Sequence, residues 1–442
     1  MSSITSTVTL EKLISFCKRR GFVYQSAEIY GGLNGLYDFG HLGTLLKKNI
    51  RTAWLQSIYA AQDNIFLFEG SLLSPEAVWQ ASGHLEHFHD PMVDCLSCKR
   101  RYRADDIDLS KACPHCGKKE WTDIRSFNMM FKTQVGASIE HATTAYLRPE
   151  TAQSIFINFK NIISTNRTKL PFGAAQIGKA FRNEINPKHF LFRMREFEQM
   201  ELEWFCKEEN AQYYFDFWCK HRLQFHYTIG LSKDKLRLRS YEKDELSHYS
   251  MATSDIEYEF PFGWKELEGI AHRGSFDLTQ HSNLSGKELS IYDEETKESY
   301  IPHVIESSVG VDRLFLTLLF DAYHEEKIEN EIRIVLKLTP QMAPIKAAFL
   351  PLTKKQTEPM HAIYKEIKKE YPHITFDETG SIGKRYRRQD EIGTPVCFTY
   401  DFESEADNTV TMRDRDSMKQ ERMSIDQIKN YIKTMLQKKE NG

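Results

Sequence analysis

The chain has 442 residues, 40% of them hydrophobic and 27% charged, which suits a soluble globular protein of two or three domains with full cores. A formal net charge of −3 excludes a global attraction to nucleic acid, so any RNA contact must come from local basic patches. No run of about 18 apolar residues exists, and the segment MSSITSTVTLEKL lacks a basic-then-apolar leader, which predicts a cytoplasmic protein with no membrane partner.

In chain order, residues 10–21 and 42–60 read as amphipathic helices flanking the glycine-rich turn YGGLNG. Residues 84–125 are dense in His, Cys, Lys and Arg and poor in long apolar stretches, the texture of a small inserted module. Runs rich in Phe, Ile and Tyr predict strands from 126 to 205. Residues 208–240 are aromatic and helical in period, with Tyr213, Phe217 and Leu223 on the inner side. A second polar insert covers about 279–300. The strand YIPHVIE, a short SSVG turn and the helix VDRLFLTLLFDAY follow. From Ile332 strands and helices alternate: IRIVLKL, IKAAFLPL, a helix near 357–371, HITFDET, the helix KRYRRQDEI, PVCFTYDF, TVTMRDR and a C-terminal helix. That alternation predicts an independent α/β domain with a mixed sheet. The polar stretch 324–331 sets the boundary, giving domains over 1–328 and 329–442.

Residues 181–205, FRNEINPKHFLFRMREFEQMELEWF, carry the densest chemistry. Arg182 and Glu184 close one predicted strand, Asn186-Pro187 turns the chain, and a second strand follows. Side chains two apart share a face, so Arg193, Arg195, Phe197, Gln199 and Glu201 line one surface. Guanidiniums suit phosphate oxygens, a flat ring suits a base and carboxylates suit an ammonium. The same alternation also fits a surface hairpin with solvated charges, although Phe192, Phe197, Met200, Leu202, Trp204 and Phe205 imply burial of at least one face.

Of the eight cysteines, Cys95 and Cys98 form one Cys-x2-Cys knuckle and Cys113 and Cys116 another. Four thiolates so spaced predict a structural Zn²⁺ site, and a module with little core needs such a cross-link. His84, His87 and His89 are then surplus and are assigned to the surface or to RNA contact.

FRNE followed by RMREF resembles motif 2 of class II aminoacyl-tRNA synthetases, and the surrounding text is similar to the dimeric-type glycyl-tRNA synthetases. YGGLNGLYDFG (30–40), LRPETAQSIF (147–156), FPFGWKELEGIAHR (260–273), HVIESSVGVDR (303–313) and GKRYRRQDEIGTP (383–395) occur in that family's order, and the match runs from about residue 9 to the C-terminus. The resemblance implies an α+β fold: a class II catalytic domain built on an antiparallel sheet, with a zinc-binding insert, followed by an α/β anticodon-binding domain with a mixed sheet. It implies a homodimeric ligase that uses ATP and Mg²⁺ to convert glycine to glycyl-adenylate plus pyrophosphate, then transfers glycine to the 3′ end of its tRNA.

By the same resemblance, Arg182 holds the α-phosphate and is the first catalytic arginine, and Arg313 is the second, facing the γ-phosphate. Glu184 fixes the adenine, Phe197 stacks on it and Arg193 reaches the terminal phosphates. Asn183, Phe192, Met194, Arg195 and Glu196 complete the motif 2 side of the ATP site. Glu266 with Leu267, and Gly310, Val311 and Asp312 beside Arg313, supply the rest. Glycine, which has no side chain, calls for a pocket that binds ammonium and carboxylate and rejects larger residues by contact. The matching positions are Glu150, Glu201 and Glu306, with Ser308, Phe197 and Gly310 nearby and Arg103 approaching from the insert. Lys384, Arg385, Arg387 and Arg388, interrupted by Tyr386, make a basic stripe suited to tRNA. Lys99, Arg100, Arg101 and Arg103 suit its acceptor end; a solvated face explains either cluster as well. Two positions depart from the family, His41 in place of Pro and Ser154 in place of Gly. The alternatives are another class II synthetase, for proline or serine, and a synthetase-derived nucleic-acid-binding subunit, which would not need the arginines.

Overall fold

Hydrophobic spacing sets the first layer of the fold. In the helix His41–Ala61, Leu46, Ile50, Trp54 and Ile58 fall four apart and are all buried. The helix Leu10–Arg20 begins at Thr9, whose hydroxyl accepts from the Lys12 amide (3.3 Å), and ends at Gly21 with φ 73°. The structure is a computed structural model describing residues 8–104, 106–138, 142–187, 189–247, 250–294, 296–329 and 331–437. Residues 1–7, which belong to the leader reading, lie outside the described residues. No described helix is long and apolar enough to cross a membrane.

The centre is a seven-stranded sheet in the order Leu236–Ser240, Ala252–Phe260, Gly263–Gly274, His303–Gly310, Glu196–Cys206, Phe172–Phe181, Ile65–Leu67. Every neighbouring pair is antiparallel except the last, which is parallel. Period two splits the strand Glu196–Cys206 cleanly. Met200, Leu202, Trp204 and Cys206 enter the main core beneath the helices His41–Ala61, Glu208–Thr228 and Val311–Ala322. On the opposite face, Phe205 packs with Phe156, Phe159 and Phe172, and Phe197, Gln199 and Glu201 border an open cavity. One face of the sheet is therefore sealed, and the other is available for chemistry.

Several sequence expectations shift here. The helix expected over 208–240 ends at Thr228, and a strand follows at Leu236–Ser240. Tyr213 is 65% exposed, because Phe215, Trp218, Arg222 and Phe225 take the inner stripe. The second polar insert holds the helix Phe276–Ser285 and a hairpin, Ile291–Asp293 with Glu298–Tyr300.

The polar stretch after the helix Val311–Ala322 is a β-hairpin, Tyr323–Ile328 against Glu331–Leu336. IRIVLKL thus pairs backward, and Leu336, Leu338 and Met342 join the catalytic core. The alternating domain begins later, with a mixed five-stranded sheet ordered Thr375–Phe376, Ala348–Pro351, Val396–Tyr400, Thr409–Asp414, Gln420–Ser424. It has its own core around Phe349, Met360, Ile367, Phe398 and Ile432. A buried ionic hub joins it to the hairpin: Asp390 accepts from Arg333 Nε (2.8 Å) and from Arg413 Nη1 (2.8 Å), and Arg333 Nη1 also reaches Glu326 (2.6 Å).

Candidate active site

The cavity has a volume of about 430 Å³ and lies over the strands Glu196–Cys206, Gly263–Gly274 and His303–Gly310. Phe197, Gln199 and Glu201 all line it, as period two requires. Arg182 and Glu184 lie just past the end of the strand Phe172–Phe181, with the Arg182 amide donating to Arg195 O at 2.9 Å. Arg193 and Arg195 precede the second strand, which begins at Glu196. On the Phe172–Phe181 strand, Gly178 is required by its neighbour, since a Cβ there would collide with the Arg148 guanidinium.

At the outer end of the cavity Arg182 is held by Nε donating to Pro149 O (3.0 Å). Its guanidinium lies over the rings of Phe197 (5.2 Å) and Phe88 (5.3 Å). Arg313 donates to Glu266 O (2.8 Å), pairs with the Glu266 carboxylate (3.2 Å) and lies over Phe192 at 4.4 Å. Arg193 Nε is 3.9 Å from Glu184, whose carboxyl is raised by burial. Met194, Gly310 and Asp312 also line the cavity. Asp312 is already engaged: it accepts from Lys47 Nζ (2.6 Å) and from the Glu198 amide (2.8 Å), which pins the helix start beside Arg313. A Cβ on Gly310 would meet only Arg313, its Cβ at 3.5 Å and its amide N at 3.9 Å, so the fold does not demand glycine there.

Five other expected ATP-site residues lie off the cavity lining. Arg195 bonds Glu184 O (2.9 Å) and Asn34 O (2.6 Å), tying the glycine-rich turn to this loop. Glu196 pairs with Lys179 at 2.8 Å. Leu267 and Val311 belong to the buried core. Asn183 uses its amide to reach Met129 O (2.7 Å), just past the insert.

The deep end is acidic. Glu201 is 2% exposed and accepts from the Thr151 amide (3.0 Å), the Thr151 hydroxyl, Ser308 Oγ (2.8 Å) and Gln199 Nε2 (3.0 Å). Burial and the charge of Glu150 raise its carboxyl. Burial would also raise Glu150, but His84 (3.2 Å) and Arg273 hold it below the usual range. Glu306 pairs with Arg273 Nη1 at 2.8 Å, and burial together with Glu201 and Glu150 pushes it up to about 8 despite that cation. The side-chain amide oxygen of Gln199 is buried without a hydrogen-bond partner among the described residues. A confined space with an orphan acceptor and surplus carboxylates is complementary to a small cation.

His84 therefore leaves the surface role assigned to it from sequence, because it packs edge-on to Trp79 and faces Glu150. His87 and His89 are exposed. Sequence reasoning also passed over the far wall, where Tyr241, Thr253 and Asp255 line the cavity and Tyr241 donates to Asp255 at 2.7 Å. The alternation in ATSDIEYEF signals a strand with one polar face, but nothing in it aims that face at the site. Ser154, the departure from the family, donates to Thr151 O (2.9 Å) and accepts from Gln176 Nε2 (2.9 Å), beneath Glu201. His41 is the exposed first residue of its helix.

In the insert, the strands Arg101–Arg103, His89–Asp94 and Arg125–Asn128 form a small sheet. The Sγ atoms of Cys95, Cys98, Cys113 and Cys116 all lie within 4.8 Å of one another, with Cys95–Cys116 at 3.5 Å and Cys98–Cys113 at 3.8 Å. Tetrahedral Zn²⁺ with bonds near 2.3 Å needs sulfurs about 3.8 Å apart, so the four thiols can hold a metal ion. Arg103 lies outside the cavity lining, paired with Asp90 at 3.0 Å, close enough for its charge to be felt at Glu184.

The basic stripe divides by helical period. Lys384 is exposed and Arg387 half-buried, and both border a surface groove with Arg20 and Glu391. Arg388 binds Asp377 (2.6 Å). Arg385 is buried, donating to the carbonyls of Pro351 and Leu352. Tyr386 turns inward and bonds Thr399 at 2.7 Å, which leaves its ring unavailable for stacking on a base.

Residues 131–323 match the tRNA synthetase class II core domain (G, H, P, S and T), and 346–435 match the anticodon binding domain. The glycine–tRNA ligase of Caldanaerobacter subterraneus subsp. tengcongensis is 48% identical over 97% of this chain and 99% of its own length. The chain belongs to the glycine–tRNA ligase family of class II aminoacyl-tRNA synthetases. Family members from Geobacillus kaustophilus (50% identical, 96% of this chain and 98% of theirs) and Borreliella burgdorferi (49%, 97% and 97%) agree across the same span. A crystal structure of the Cryptosporidium parvum prolyl-tRNA synthetase complexed with L-proline and AMP shares the fold, with TM-score 0.67, 14% identity, and coverage of 98% of this chain and 79% of that one. Membership in the glycine–tRNA ligase family brings with it ATP and Mg²⁺ as co-substrate and cofactor.

Proposed function

We propose that the protein ligates glycine to its tRNA in two steps at this cavity. The glycine carboxylate attacks the α-phosphorus of ATP, the bond to the β-phosphate breaks, and pyrophosphate leaves from glycyl-adenylate. The 3′-terminal hydroxyl of tRNA then takes the glycyl group and AMP is released. The acidic deep end carries this reading: Glu150, Glu201, Glu306 and the unpartnered Gln199 oxygen fit an ammonium. Arg182 lies nearer the mouth, placed for the α-phosphate, and Arg313 for the γ-phosphate, where positioned charge stabilises the transition state. The Glu266 side chain, 51% exposed beside Arg313, offers an oxygen to Mg²⁺, which offsets phosphate charge. Pyrophosphate exchange measured across all standard amino acids tests this, with exchange expected for glycine alone; exchange driven by proline or serine would overturn it.

The same reading assigns zinc to the four thiols and the described C-terminal sheet to the tRNA anticodon arm. Lys384 and Arg387 are the outward cations of the stripe. Replacing both with glutamine should raise KM for tRNA severalfold, at about one counterion-linked contact each, with glycine-dependent exchange intact. Loss of exchange would place them in folding instead. A second copy of the chain is the partner that fits the exposed Ile29 (88%) and Tyr30 (86%) beside Leu33. Sedimentation equilibrium of the full chain should give a dimer, and a monomer at micromolar concentration would refute that partner. Work on tRNA places the protein in the cytoplasm, and recovery in a membrane fraction would count against this location.

A further inference from the structure

Directly behind the glycine pocket is a carboxylate to which the reaction gives no task. Glu203 lies two residues beyond Glu201 on the same strand face, is 0% exposed, and among the described residues has no hydrogen-bond partner for either oxygen. The strand register sets it opposite Glu306, so the two side chains face each other from adjacent strands, about 4.5–5.5 Å apart at Cβ. The other neighbour on the sheet is Ala174, which brings no charge. The ionisable groups facing it are Glu306, Arg273 and Glu201 from the strands and Asp277 from the helix Phe276–Ser285, with Glu150 and His84 beyond Glu201.

The cations of this cluster are already committed. Arg273 gives Nε and Nη2 to Asp277 (2.7 and 2.9 Å) and Nη1 to Glu306 (2.8 Å). Glu201 takes four donors of its own. An ionised Glu203 would be a second buried charge against Glu306 with no hydrogen-bond donor to it among the described residues, which a protein interior strongly disfavours. Two facing carboxyls in this position share protons instead, as one unit. Among the described residues Arg273 donates to Glu306, whereas neither oxygen of Glu203 receives a hydrogen bond.

We infer that Glu203 is a positioning residue of the glycine pocket: it keeps a proton as the neutral acid, which leaves Glu306 as the member of the facing pair that ionises when an ammonium enters. The pocket then gains a single matched negative charge on binding, and Glu203 acts on the substrate only through Glu306. Burial and the nearby Glu306 charge, which raise the Glu203 carboxyl, agree with this. The inference rests on the reading of the deep end as the amino-acid pocket.

The test is the pH profile of glycine-dependent pyrophosphate exchange, from pH 6 to 9.5, for the full-length wild type and Glu203→Gln. Glutamine copies the neutral acid in shape. The variant should therefore fold, keep kcat/KM for glycine within about tenfold of wild type at pH 7, and gain on it by about threefold or more towards pH 9, where only the wild type can lose that proton. Titration of free glycine affects both proteins equally and cancels in the ratio. A ratio that is flat with pH overturns the inference, as does a folded variant more than about tenfold down at pH 7. If Glu203→Gln fails to fold, Glu203→Met replaces it in the same profile. Failure of both neutral variants to fold would overturn the inference too, because a residue that is already neutral tolerates neutral replacement. Glu201→Gln separates the two levels: unimpaired glycine activation there removes the pocket reading, whereas a flat Glu203→Gln ratio removes only this step.

Discussion

Arg182→Ala is expected to slow glycyl-adenylate formation by about 10²- to 10³-fold, the usual loss when one positioned group that stabilises developing charge is removed. The wild-type side chain is fixed before substrate arrives, by Pro149 O and by the rings of Phe197 and Phe88. Its charge therefore needs little reorganisation in the transition state. The cost to folding should be small, because each partly exposed cation–π contact contributes about 0.5–1 kcal/mol, against a typical total of about 5–15 kcal/mol. Arg182→Lys should fall nearly as far, since an ammonium cannot copy a planar fork. Single-turnover adenylate formation, paired with a thermal melt, separates the two effects. A near-wild-type rate in a folded Arg182→Ala protein would end the assignment of this loop to ATP.

Loss of the metal should be comparably damaging, by a different route. Cys113→Ser, or chelation of the wild type, should empty the site and disorder the insert. The module offers little else to hold it: Met92 and Val93 are buried, and Tyr102 meets Trp121 edge-on at 5.7 Å. In zinc-finger peptides, metal binding supplies about 10–16 kcal/mol of apparent free energy, far more than that contact set can replace. The damage would spread to the cavity, because the insert supplies Phe88 beneath Arg182 and His84 beside Glu150, and leads directly into Met129, whose carbonyl receives the Asn183 amide. Elemental analysis should show zinc in the wild type and not in the variant, limited proteolysis should cut within 95–121, and exchange should drop by about tenfold or more. Metal content that survives Cys113→Ser would refute the thiolate site.

Much of this was legible because strands obey period two. Phe197, Gln199 and Glu201 face one cavity for the same reason that Met200, Leu202 and Trp204 face the core. Helix positions were equally accessible where apolar residues recur every three or four places, as in His41–Ala61. Tertiary choice was harder to read. Which aromatic of the Glu208–Thr228 helix turns outward depends on the sheet beneath it, and Tyr213 lost that place to Phe215 and Trp218. The 324–331 stretch is polar enough to suggest a linker, yet alternation across it builds a hairpin. The family resemblance pointed to a basic stripe near 384–388, but a helix shows only part of such a run to solvent, so Arg385 and Tyr386 went inward. His84 resembled its histidine neighbours in sequence, and only the fold brings Glu150 within 3.2 Å of it.

The hub at Asp390 bears on modularity. Strand His303–Gly310, helix Val311–Ala322 and the hairpin ending at Leu336 form one unbroken run of chain from the catalytic pocket, and Arg333 at its end is 0% exposed. Besides Glu326 in the hairpin itself, it pairs with Asp390, which comes from the helix that carries Lys384 and Arg387. A chain cut after the hairpin would strand that guanidinium without its Asp390 partner, so the C-terminal unit is no detachable cassette. Any graft that exchanges this unit for another must bring an acid to the same spot.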